Sequence, residues 1–384
     1  MISPKAKKSI ILVTEEMIPN VQRFSLTEKL AIDLANKDCN VYLISLKGKG
    51  EFHCEGVEHI AINMPDWSLF KLKERIKANL ALCYYSLKIC YTKHIDLVYG
   101  WWPIMFFAKY FAFMKIAADM PEFIDVMYKS YSKPASWLMG PILKVFQTMV
   151  ARSSEMVVTQ SDISRGIWCS RGVNYSRTSS IPYGVETDKF NLPQNSVLRK
   201  KYGIKHDDVV VVFEGDIGID DGVDNLIMAC NTLPVKVVIA GDGDGIYMNY
   251  IRKLAGANVL FTGWIAYSDM PDFISIADMC VAPFRESLYT NTTCQLKQME
   301  SMAAGKATII SELHTFSRYV KNDFDCVLIR PNDVNALHHA VEELVAKPDK
   351  RKAIGVNAKE TAKSFNWHNR ITKESEILRN LINN

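Results

Sequence analysis

Apolar and polar residues alternate along the chain in two recurring patterns. Short apolar runs rich in Val and Ile predict buried strands, and the longer stretches between them, with apolar residues three and four positions apart, predict helices. In the first half the predicted strands are 10–14, 41–46, 59–63, 96–100, 122–126, 156–161 and 178–185, and the main helices 25–36, 68–93 and 134–151. This alternation predicts a parallel sheet covered by helices.

The same pattern restarts after a polar segment at 191–201. The second set of predicted strands is 209–215, 235–243, 259–263, 279–284, 307–311 and 325–329. The predicted helices are 222–231, a helix that follows strand 235–243 and ends at about 255, and then 293–305, 333–346 and 349–364. Two doubly wound α/β domains are therefore predicted. Ligands of such sheets bind outside the carboxyl ends of the strands, so two facing domains would hold a ligand in the cleft between them.

Length and composition agree with two domains of a globular protein. The 384 residues are too many for one ordinary core, and 48% hydrophobic with 23% charged residues is a usual globular composition. No apolar run approaches the roughly 18 residues of a membrane span, and the short N-terminal run is expected to be a strand, not a signal peptide. Nine cysteines without CxxC or metal spacing favour a reducing cytoplasm.

Charge is distributed unevenly along the chain. Residues 1–190 contain 24 basic and 18 acidic side chains, a net +6, and the remainder, with 22 and 24, carries −2. This excess favours an anionic partner of the first half, such as a membrane surface or a phosphorylated acceptor. Ordinary surface lysines explain the count equally well, because a count contains no geometry.

Candidate chemistry is concentrated in residues 279–311, which read as strand, loop, helix and strand. A loop that leads into a helix presents unpaired backbone N–H groups and the positive end of the helix dipole, which suits a phosphate. Glu300 and Lys297 lie on neighbouring turns of the predicted helix. A carboxylate there can accept hydrogen bonds from two vicinal hydroxyls, and an ammonium can bind a phosphate.

The segment LKQMESMAAGKATIIS, residues 296–311, resembles the LKLFEYMAAGKPVVAS signature of the family-four retaining glycosyltransferases, which use sugar nucleotides and have the GT-B fold. Residues 154–190, with IPYGVETDKF, are similar to a family stretch that ends in IPNGVDTERF. Residues 235–284, with VIAGDG and VLFTGWIAYSDM, are similar to VIVGDG followed by VVFTGFVPYEEV. The resemblance is good over about 154–380 and covers the first 150 residues only in outline.

The resemblance implies an acceptor-side domain at 1–187, a nucleotide-sugar domain at 188–365, and a C-terminal helix, 366–384, that crosses back to the first domain. It implies a nucleotide-diphosphate sugar and a glycan or lipid-linked acceptor as partners, with no cofactor, metal or nucleic acid. Glu300 would hold the ribose. The residues expected at the donor are Gly215, Asp216, Asp221, Gly241, Gly243, Ile265, Arg285, Thr292, Thr293, Cys294, Leu296 and Lys297.

The sequence departs from the family pattern at two places on the donor side. Thr292 stands where the first acid of the E-x7-E pattern is usual. Asp216 and Asp221 stand where an arginine and a lysine usually clamp the diphosphate, which two carboxylates would repel. Three explanations stay open: Lys297 and Arg285 supply the charge, the donor is different, or catalysis has been lost.

Asp125 is the candidate from the first domain for a polar group that faces the reacting sugar. The family commonly has the motif vlDvHD here. In this sequence Met127 stands in place of its histidine and Tyr128 in place of its final aspartate. An aspartate that caps the loop after a strand is nearly as good an explanation. Asp125 and Glu300 are therefore the two residues assigned to catalysis.

The basic segment 67–93 has two interpretations. Its lysines, arginine and aromatic residues could lie on an anionic bilayer, as similar helices do in several enzymes of the family, which would make the protein peripheral on the inner face of a membrane. A sheet-covering helix with a solvated basic face is favoured. The apolar segment 101–113 is predicted to pack in the core.

The function predicted from these features is transfer of a sugar, with retention of configuration and without a metal, from a nucleotide-sugar to a hydroxyl of a glycan, glycolipid or polysaccharide precursor. The alternative is a catalytically degenerate GT-B partner subunit or sugar-binding protein, favoured by the lost clamp residues. Sugar-nucleotide epimerases share the fold and form a third class.

Overall fold

The computed structural model of the chain describes residues 7–18, 25–64, 72–120, 123 and 134–384. The chain divides into two compact units. The first unit consists of Met1–Pro182 with Arg370–Asn384, and the second of Tyr183–Asn369.

The first unit is built on a seven-stranded parallel sheet with the strand order β3-β2-β1-β4-β5-β6-β7. Its strands are β1 (Ser9–Ile18), β2 (Asn40–Lys47), β3 (Val57–Ile62), β4 (Leu97–Trp101), β5 (Ile116–Asp119), β6 (Met156–Thr159) and β7 (Thr178–Ser180). Its helices are α1 (Leu26–Asn36), α2 (Leu72–Thr92), α3 (Trp102–Phe111), α4 (Pro134–Ser153) and α5 (Asp162–Ser170).

Local sequence accounts for these elements. The first five residues of β1 are all buried, as expected for an inner strand of a parallel sheet with both faces covered. Helix α1 begins where the Ser25 hydroxyl accepts a hydrogen bond from the Glu28 N–H. Segment 101–113 supplies α3, whose Ile104 and Met105 are fully buried, so the predicted core packing of this segment is confirmed.

The prediction was incomplete in the middle of the first unit. The strand predicted at 122–126 lies almost entirely outside the described residues, and the strand between β4 and β6 is the earlier β5. Strand β5 has only four residues, two of them Ala, which has a low strand propensity. Helix α5 was not predicted.

The second unit is built on a six-stranded parallel sheet with the order β10-β9-β8-β11-β12-β13. Its strands are β8 (Val209–Glu214), β9 (Val235–Ala240), β10 (Val259–Gly263), β11 (Met279–Ala282), β12 (Ala307–Ser311) and β13 (Val327–Ile329). Its helices are α6 (Thr187–Phe190), α7 (Ser196–Lys201), α8 (Val223–Cys230), α9 (Gly245–Leu254), α10 (Met270–Ser275), α11 (Leu288–Thr292), α12 (Leu296–Ala303), α13 (His314–Ser317), α14 (Val334–Ala346) and α15 (Pro348–Ala362).

Strand β8 shows why the core of this unit is two-sided. Val211 and Phe213 pack into one buried cluster, and Val210 and Val212 pack into another. Side chains of a strand alternate between the two faces of its sheet, so an uninterrupted apolar run means that helices cover both faces. Here α8, α9 and α14 contribute to the first cluster and α10, α12 and α15 to the second.

The last helix, α16 (Trp367–Asn383), joins the first unit from Arg370 onward. Glu374 is completely buried, accepts a hydrogen bond of 2.5 Å from the Tyr99 hydroxyl, and lies 3.2 Å from the Arg370 guanidinium. Arg370 also donates to the carbonyls of Ile181 and Pro182. The hydrogen bond between Tyr99 and Glu374 therefore attaches the C-terminal segment to strand β4, and the buried ion pair within α16 compensates the Glu374 charge. Among the described residues, no helix is long and apolar enough to cross a membrane.

Candidate functional site

The carboxyl ends of β8, β9 and β10 meet backbone to backbone. The N–H of Gly215 donates to Ala240 and the N–H of Gly241 to Gly263, at 3.1 and 2.8 Å. Gly241 has φ +138°, and a Cβ atom on it would lie 1.9 Å from the Gly215 carbonyl oxygen. A Cβ on Gly243 would lie equally close, at 1.9 Å, to the carbonyl oxygen of Ile217. Only glycine fits at these two positions.

We expect Gly241→Ala to destabilise the protein more than Gly203→Ala, by an additional 1–3 kcal/mol or so. Gly203 is the matched control, because it also has a positive φ, +67°, yet a Cβ atom there would meet nothing within 4 Å. In both variants the alanine must adopt a positive φ, which reduces the free energy of unfolding. Only in Gly241→Ala does the new Cβ atom also clash with a carbonyl oxygen. Urea unfolding of the full chain measures the difference, and equal losses would contradict the close approach.

Helix α12 begins later than predicted. A separate short helix, α11, ends at Thr292, and Thr293 and Gln295 are extended before α12 starts at Leu296. The Thr292 hydroxyl donates to the Leu288 carbonyl at 2.8 Å, a local bond that favours a helix end at this point. The N-cap residue Gln295 makes no side-chain hydrogen bond to the helix. No side-chain cap therefore occupies the first N–H groups of α12.

The loop residues expected at the donor differ in exposure. Thr292 and Cys294 are buried, with only 2% and 1% of their surface exposed, and Cys294 packs in the core. Thr293 and Leu296 are half-buried. Thr292 and Cys294 can therefore offer a ligand their backbone groups, and their side chains serve the packing of the unit.

Glu300 lies on α12 and is 4% exposed. Burial raises the pKa of Glu300 to about 7, although the Tyr267 hydroxyl donates a hydrogen bond to it and the Lys297 charge favours its ionised form. A carboxylate that already holds one donor in a buried position has lone pairs left for further hydroxyl donors. This is the arrangement expected of a residue that binds a diol.

Lys297 is held between an acid and two aromatic rings. Its Nζ lies 2.7 Å from the Asp221 carboxylate and 4.5 and 4.9 Å from the ring centres of Phe213 and Phe284. Asp221 also accepts the N–H of Gly218 at 2.9 Å. The ammonium therefore lies at the end of strand β8 with its charge compensated by an acid of the following loop.

Arg285 is paired in the same way. It lies 2.5 Å from the Asp224 carboxylate, which also accepts the Tyr247 hydroxyl at 2.9 Å. Asp216 is exposed. Within the segment 216–224, Asp221 and Asp224 thus each have a cationic partner. The repulsion expected from Asp221 is reduced by its ion pair with Lys297.

One predicted position lies apart from these contacts, and another is outside the described residues. Ile265 is half-buried against the core cluster that also contains Met299, and its neighbour Trp264 is 59% exposed. Asp125 lies outside the described residues, so its assignment to the sugar stays a prediction.

Sequence reasoning missed two residues of this site. Glu214, the last residue of β8, is 5% exposed, and its Oε1 atom has no hydrogen-bond partner. Tyr267 follows β10 in a short 3-10 turn, Tyr267–Asp269, and binds Glu300. A signal for Glu214 was available, because a charged residue that closes the run VVVVF is unusual in a buried strand.

One group of side chains in the described part of the chain has the geometry for a metal ion. His338, His339 and Glu342 of α14 have ligand atoms within 4.8 Å of one another. The group lies on a helix and not at the strand ends that carry Glu300, and we assign it no part in the site described above.

Comparison with known proteins finds a family model and relatives that this part of the chain is similar to. Residues 194–361 match the family described as glycosyl transferases group 1. EpsD of Bacillus subtilis strain 168, named as a glycosyltransferase, is 28% identical over 207 residues, which cover 50% of this chain and 52% of EpsD. The GDP-mannose-dependent alpha-(1-6)-phosphatidylinositol monomannoside mannosyltransferase of Mycobacterium tuberculosis is 23% identical over 66% of this chain and 69% of that protein. This chain matches only 52% of the length of EpsD, and 62% of the length of a further relative, the uncharacterized glycosyltransferase MJ1069 of Methanocaldococcus jannaschii.

Solved structures confirm the predicted GT-B fold. The sucrose-phosphate synthase of Thermosynechococcus elongatus superposes with a TM-score of 0.77 at 16% identity, over 98% of this chain and 99% of that one. HepE of Anabaena in complex with UDP-glucose gives a TM-score of 0.73 at 15% identity, over 97% and 99% of the two chains. At these identities the likeness concerns the fold alone.

Proposed function

Because residues 194–361 match the family described as glycosyl transferases group 1, we propose that this protein transfers a sugar from a nucleotide-diphosphate donor to a hydroxyl acceptor. The observation that carries the proposal is Glu300, a buried carboxylate bound by Tyr267 on the first turns of α12, a helix whose N-terminus has no side-chain cap. One short helix thus offers a diol acceptor and a phosphate-binding end together.

In this proposal Glu300 accepts hydrogen bonds from the two ribose hydroxyls of the donor. The N–H groups of Leu296 and Lys297 at the start of α12 bind the diphosphate. As the bond between the anomeric carbon and the diphosphate breaks, negative charge grows on the leaving phosphate, and the helix N-terminus stabilises it. The acceptor oxygen bonds to the anomeric carbon, and its proton goes to the departing phosphate or to solvent.

Lys297 supports the same step electrostatically. Its ammonium is compensated by Asp221 at 2.7 Å in the free protein. A phosphate that binds at α12 would share the Lys297 ammonium with Asp221. Lys297 would then stabilise the leaving group, while Asp221 compensates its charge before the donor binds. Retention of configuration, independence of a metal, and a role of Asp125 at the sugar belong to this proposal as well.

The test is a thermal-shift screen with UDP, GDP, ADP and CDP. A ligand that binds only the folded state raises the melting temperature, and at about 100 times its dissociation constant it stabilises by about 2.7 kcal/mol. We expect one nucleotide to stand out. Its sugar derivatives, incubated with the protein and hydroxyl acceptors, should then give a glycosylated product. Epimerised donor without an acceptor would point instead to an epimerase.

A degenerate partner subunit is the second candidate. Specific residues favour it: Thr292 replaces the usual first acid, and Asp216 and Asp221 replace the usual cationic clamp. Stabilisation by none of the four nucleotides would support this candidate and overturn the transferase proposal.

We further propose that the first unit binds an anionic membrane surface and that the protein works in a reducing compartment, on the cytoplasmic side of that membrane. Phe106 of α3 and Phe146 of α4 are in ring contact at 5.2 Å, and α2 contacts α3 through the Tyr91 hydroxyl, which donates to the Phe111 carbonyl at 2.5 Å. Among the described side chains of these helices and of the loop after α3, the exposed apolar ones are Ile76, Leu80, Tyr84, Tyr91, Tyr110, Phe111, Phe113, Ile142, Val145, Phe146 and Met149.

Charge on the same helices supports a bilayer as the occupant. Lys77 and Lys88 of α2 and Lys144 of α4 are exposed among these apolar side chains. Aromatic rings with neighbouring lysines suit the boundary between anionic headgroups and acyl chains. All nine cysteines are free, as expected for a reducing compartment.

Phe113→Asn is expected to weaken binding to anionic vesicles about 10- to 150-fold, because Phe113 is 88% exposed and a buried phenyl ring contributes about 1.5–3 kcal/mol. Asn suits the position, since Phe113 has φ +54°. The control is Val356→Ser, which removes an apolar side chain that is 62% exposed on α15 of the second unit. Co-sedimentation with phosphatidylglycerol vesicles measures both. Equal binding of the two variants would contradict the membrane surface.

A further inference from the structure

Glu214 is a buried acid that the proposed reaction does not use. It ends strand β8 on the face that carries Val210 and Val212, the face covered by α12. It is 5% exposed, and its Oε1 atom is buried without a hydrogen-bond partner. An ionised carboxylate in this position would be costly, because neither water nor a donor compensates its charge.

The groups around Glu214 make ionisation still less favourable. From α12 it is faced by Glu300 and Lys297, and from the loop after β8 by Asp221. Lys297 is already paired with Asp221 at 2.7 Å. Burial first, and then the Glu300 charge, hold the pKa of Glu214 well above its usual range, while Lys297 lowers it. Two further groups, Tyr267 and Glu186, face Glu300 itself.

Counting charge in this cluster shows that it must keep a proton. Glu214, Glu300 and Asp221 are three acids, and Lys297 is the one cation among the groups that act on Glu214. With all acids ionised, the buried group would carry two uncompensated negative charges. One proton shared between Glu214 and Glu300 halves that excess, as in other close carboxyl pairs.

We propose that Glu214 keeps its proton in the folded protein and is a positioning residue for Glu300, which is thereby left ionised to accept the hydroxyls of a nucleotide ribose. The inference rests on the proposed function, in which Glu300 binds that ribose. A protonated carboxyl group donates one hydrogen bond, whereas an ionised one only accepts. Glu214 can therefore neutralise part of the cluster and leave the ionised form to Glu300, whereas ionised Glu214 would repel it.

The first test is the pH dependence of nucleotide binding, measured by calorimetry at pH 7.0 and 8.5 with the diphosphate that gives the largest thermal shift. Glu214→Gln is the matched variant, because its amide is neutral and still donates a hydrogen bond. We expect Glu214→Gln to bind with wild-type affinity at both pH values, because its amide replaces a carboxyl group that keeps its proton. Other ionisations, including those of the ligand, affect both proteins equally. A tenfold loss in Glu214→Gln at either pH would overturn the positioning role.

The second test needs no ligand. The unfolded chain loses the Glu214 proton above pH 4.5 or so, the usual range of a glutamate, and the folded chain keeps it. The wild type should therefore lose stability as pH rises above this value, since the folded state binds more protons. The free energy of unfolding, measured with urea between pH 5 and 8, should fall less steeply with pH in Glu214→Gln than in the wild type. The difference in slope should correspond to up to one proton. Equal slopes would overturn the retained proton.

The two tests separate the two proposals. If no nucleotide binds the wild type, the proposed function and the positioning role fail together, and the slope still decides whether Glu214 keeps its proton. If Glu214→Gln does not fold, infrared spectra of the wild type at pH 8.5 decide instead, because Glu300, with its pKa of about 7, is mostly ionised there. A carboxyl band of a protonated acid that persists at this pH supports the inference, and its absence overturns it.

Discussion

Glu300→Ala is expected to weaken binding of the preferred nucleoside diphosphate by about 10- to 150-fold. A hydrogen bond to a charged group contributes about 1.5–3 kcal/mol, and 1.4 kcal/mol corresponds to a factor of ten in the dissociation constant. The variant removes the acceptor for both ribose hydroxyls and leaves the phosphate-binding end of α12 in place. Isothermal titration calorimetry at neutral pH measures the change.

Two controls accompany this variant. Glu342→Ala removes an exposed acid from α14 of the same unit and should leave the affinity unchanged. The 2′-deoxy form of the nucleotide should bind the wild type more weakly, yet lose little further affinity in Glu300→Ala, because the acceptor of that hydroxyl is already gone. An unchanged affinity in Glu300→Ala would remove the ribose assignment and, with it, the main support for the transferase proposal.

Glu374→Ala is expected to destabilise the protein by about 3–5 kcal/mol, the usual cost when one partner of a buried ion pair is removed. Arg370, which is 3% exposed, would keep its charge without the carboxylate 3.2 Å away, and the Tyr99 hydroxyl would lose its acceptor. Urea unfolding, followed by a probe in the first unit such as near-ultraviolet circular dichroism, measures the loss.

The matched control is Lys347→Ala, which removes an exposed ion pair with Glu343 at 2.9 Å. Exposed pairs contribute about 0–1 kcal/mol, so this variant should unfold close to the wild type. If Glu374→Ala lost no more stability than Lys347→Ala, the buried Glu374 carboxylate would not be what attaches α16 to strand β4.

The sequence predicts most of the second unit because its strands are buried on both faces. The run 209–215 matches β8 to within one residue, and 307–311 matches β12 without error. Predictions fail where an element is short or its pattern is interrupted. Strand β5 is too short to show a period, and the break between α11 and α12 depends on a threonine side chain that bonds to the backbone within its own helix.

The site is predicted in part for the same reasons. Glu300 and Lys297 are close in sequence and lie on one helix, so their proximity follows from helical geometry alone. The ion pair between Lys297 and Asp221 joins residues 76 positions apart, which only the packing of the sheet determines. The sequence therefore shows acids where cations are usual, but not that Lys297 compensates one of them. Glu214 was missed because its burial is a tertiary property.

The chain order of the two units determines when each can be completed during synthesis. Residues 183–369 form the second unit without interruption, whereas the first unit also needs 370–384. A ribosome therefore releases everything the second unit requires before Glu374 and Arg370 emerge. Until then Tyr99, buried in the finished protein, has no carboxylate to bind. The unit that is begun first is thus the one that is finished last, and its incomplete form is the one exposed to chaperones.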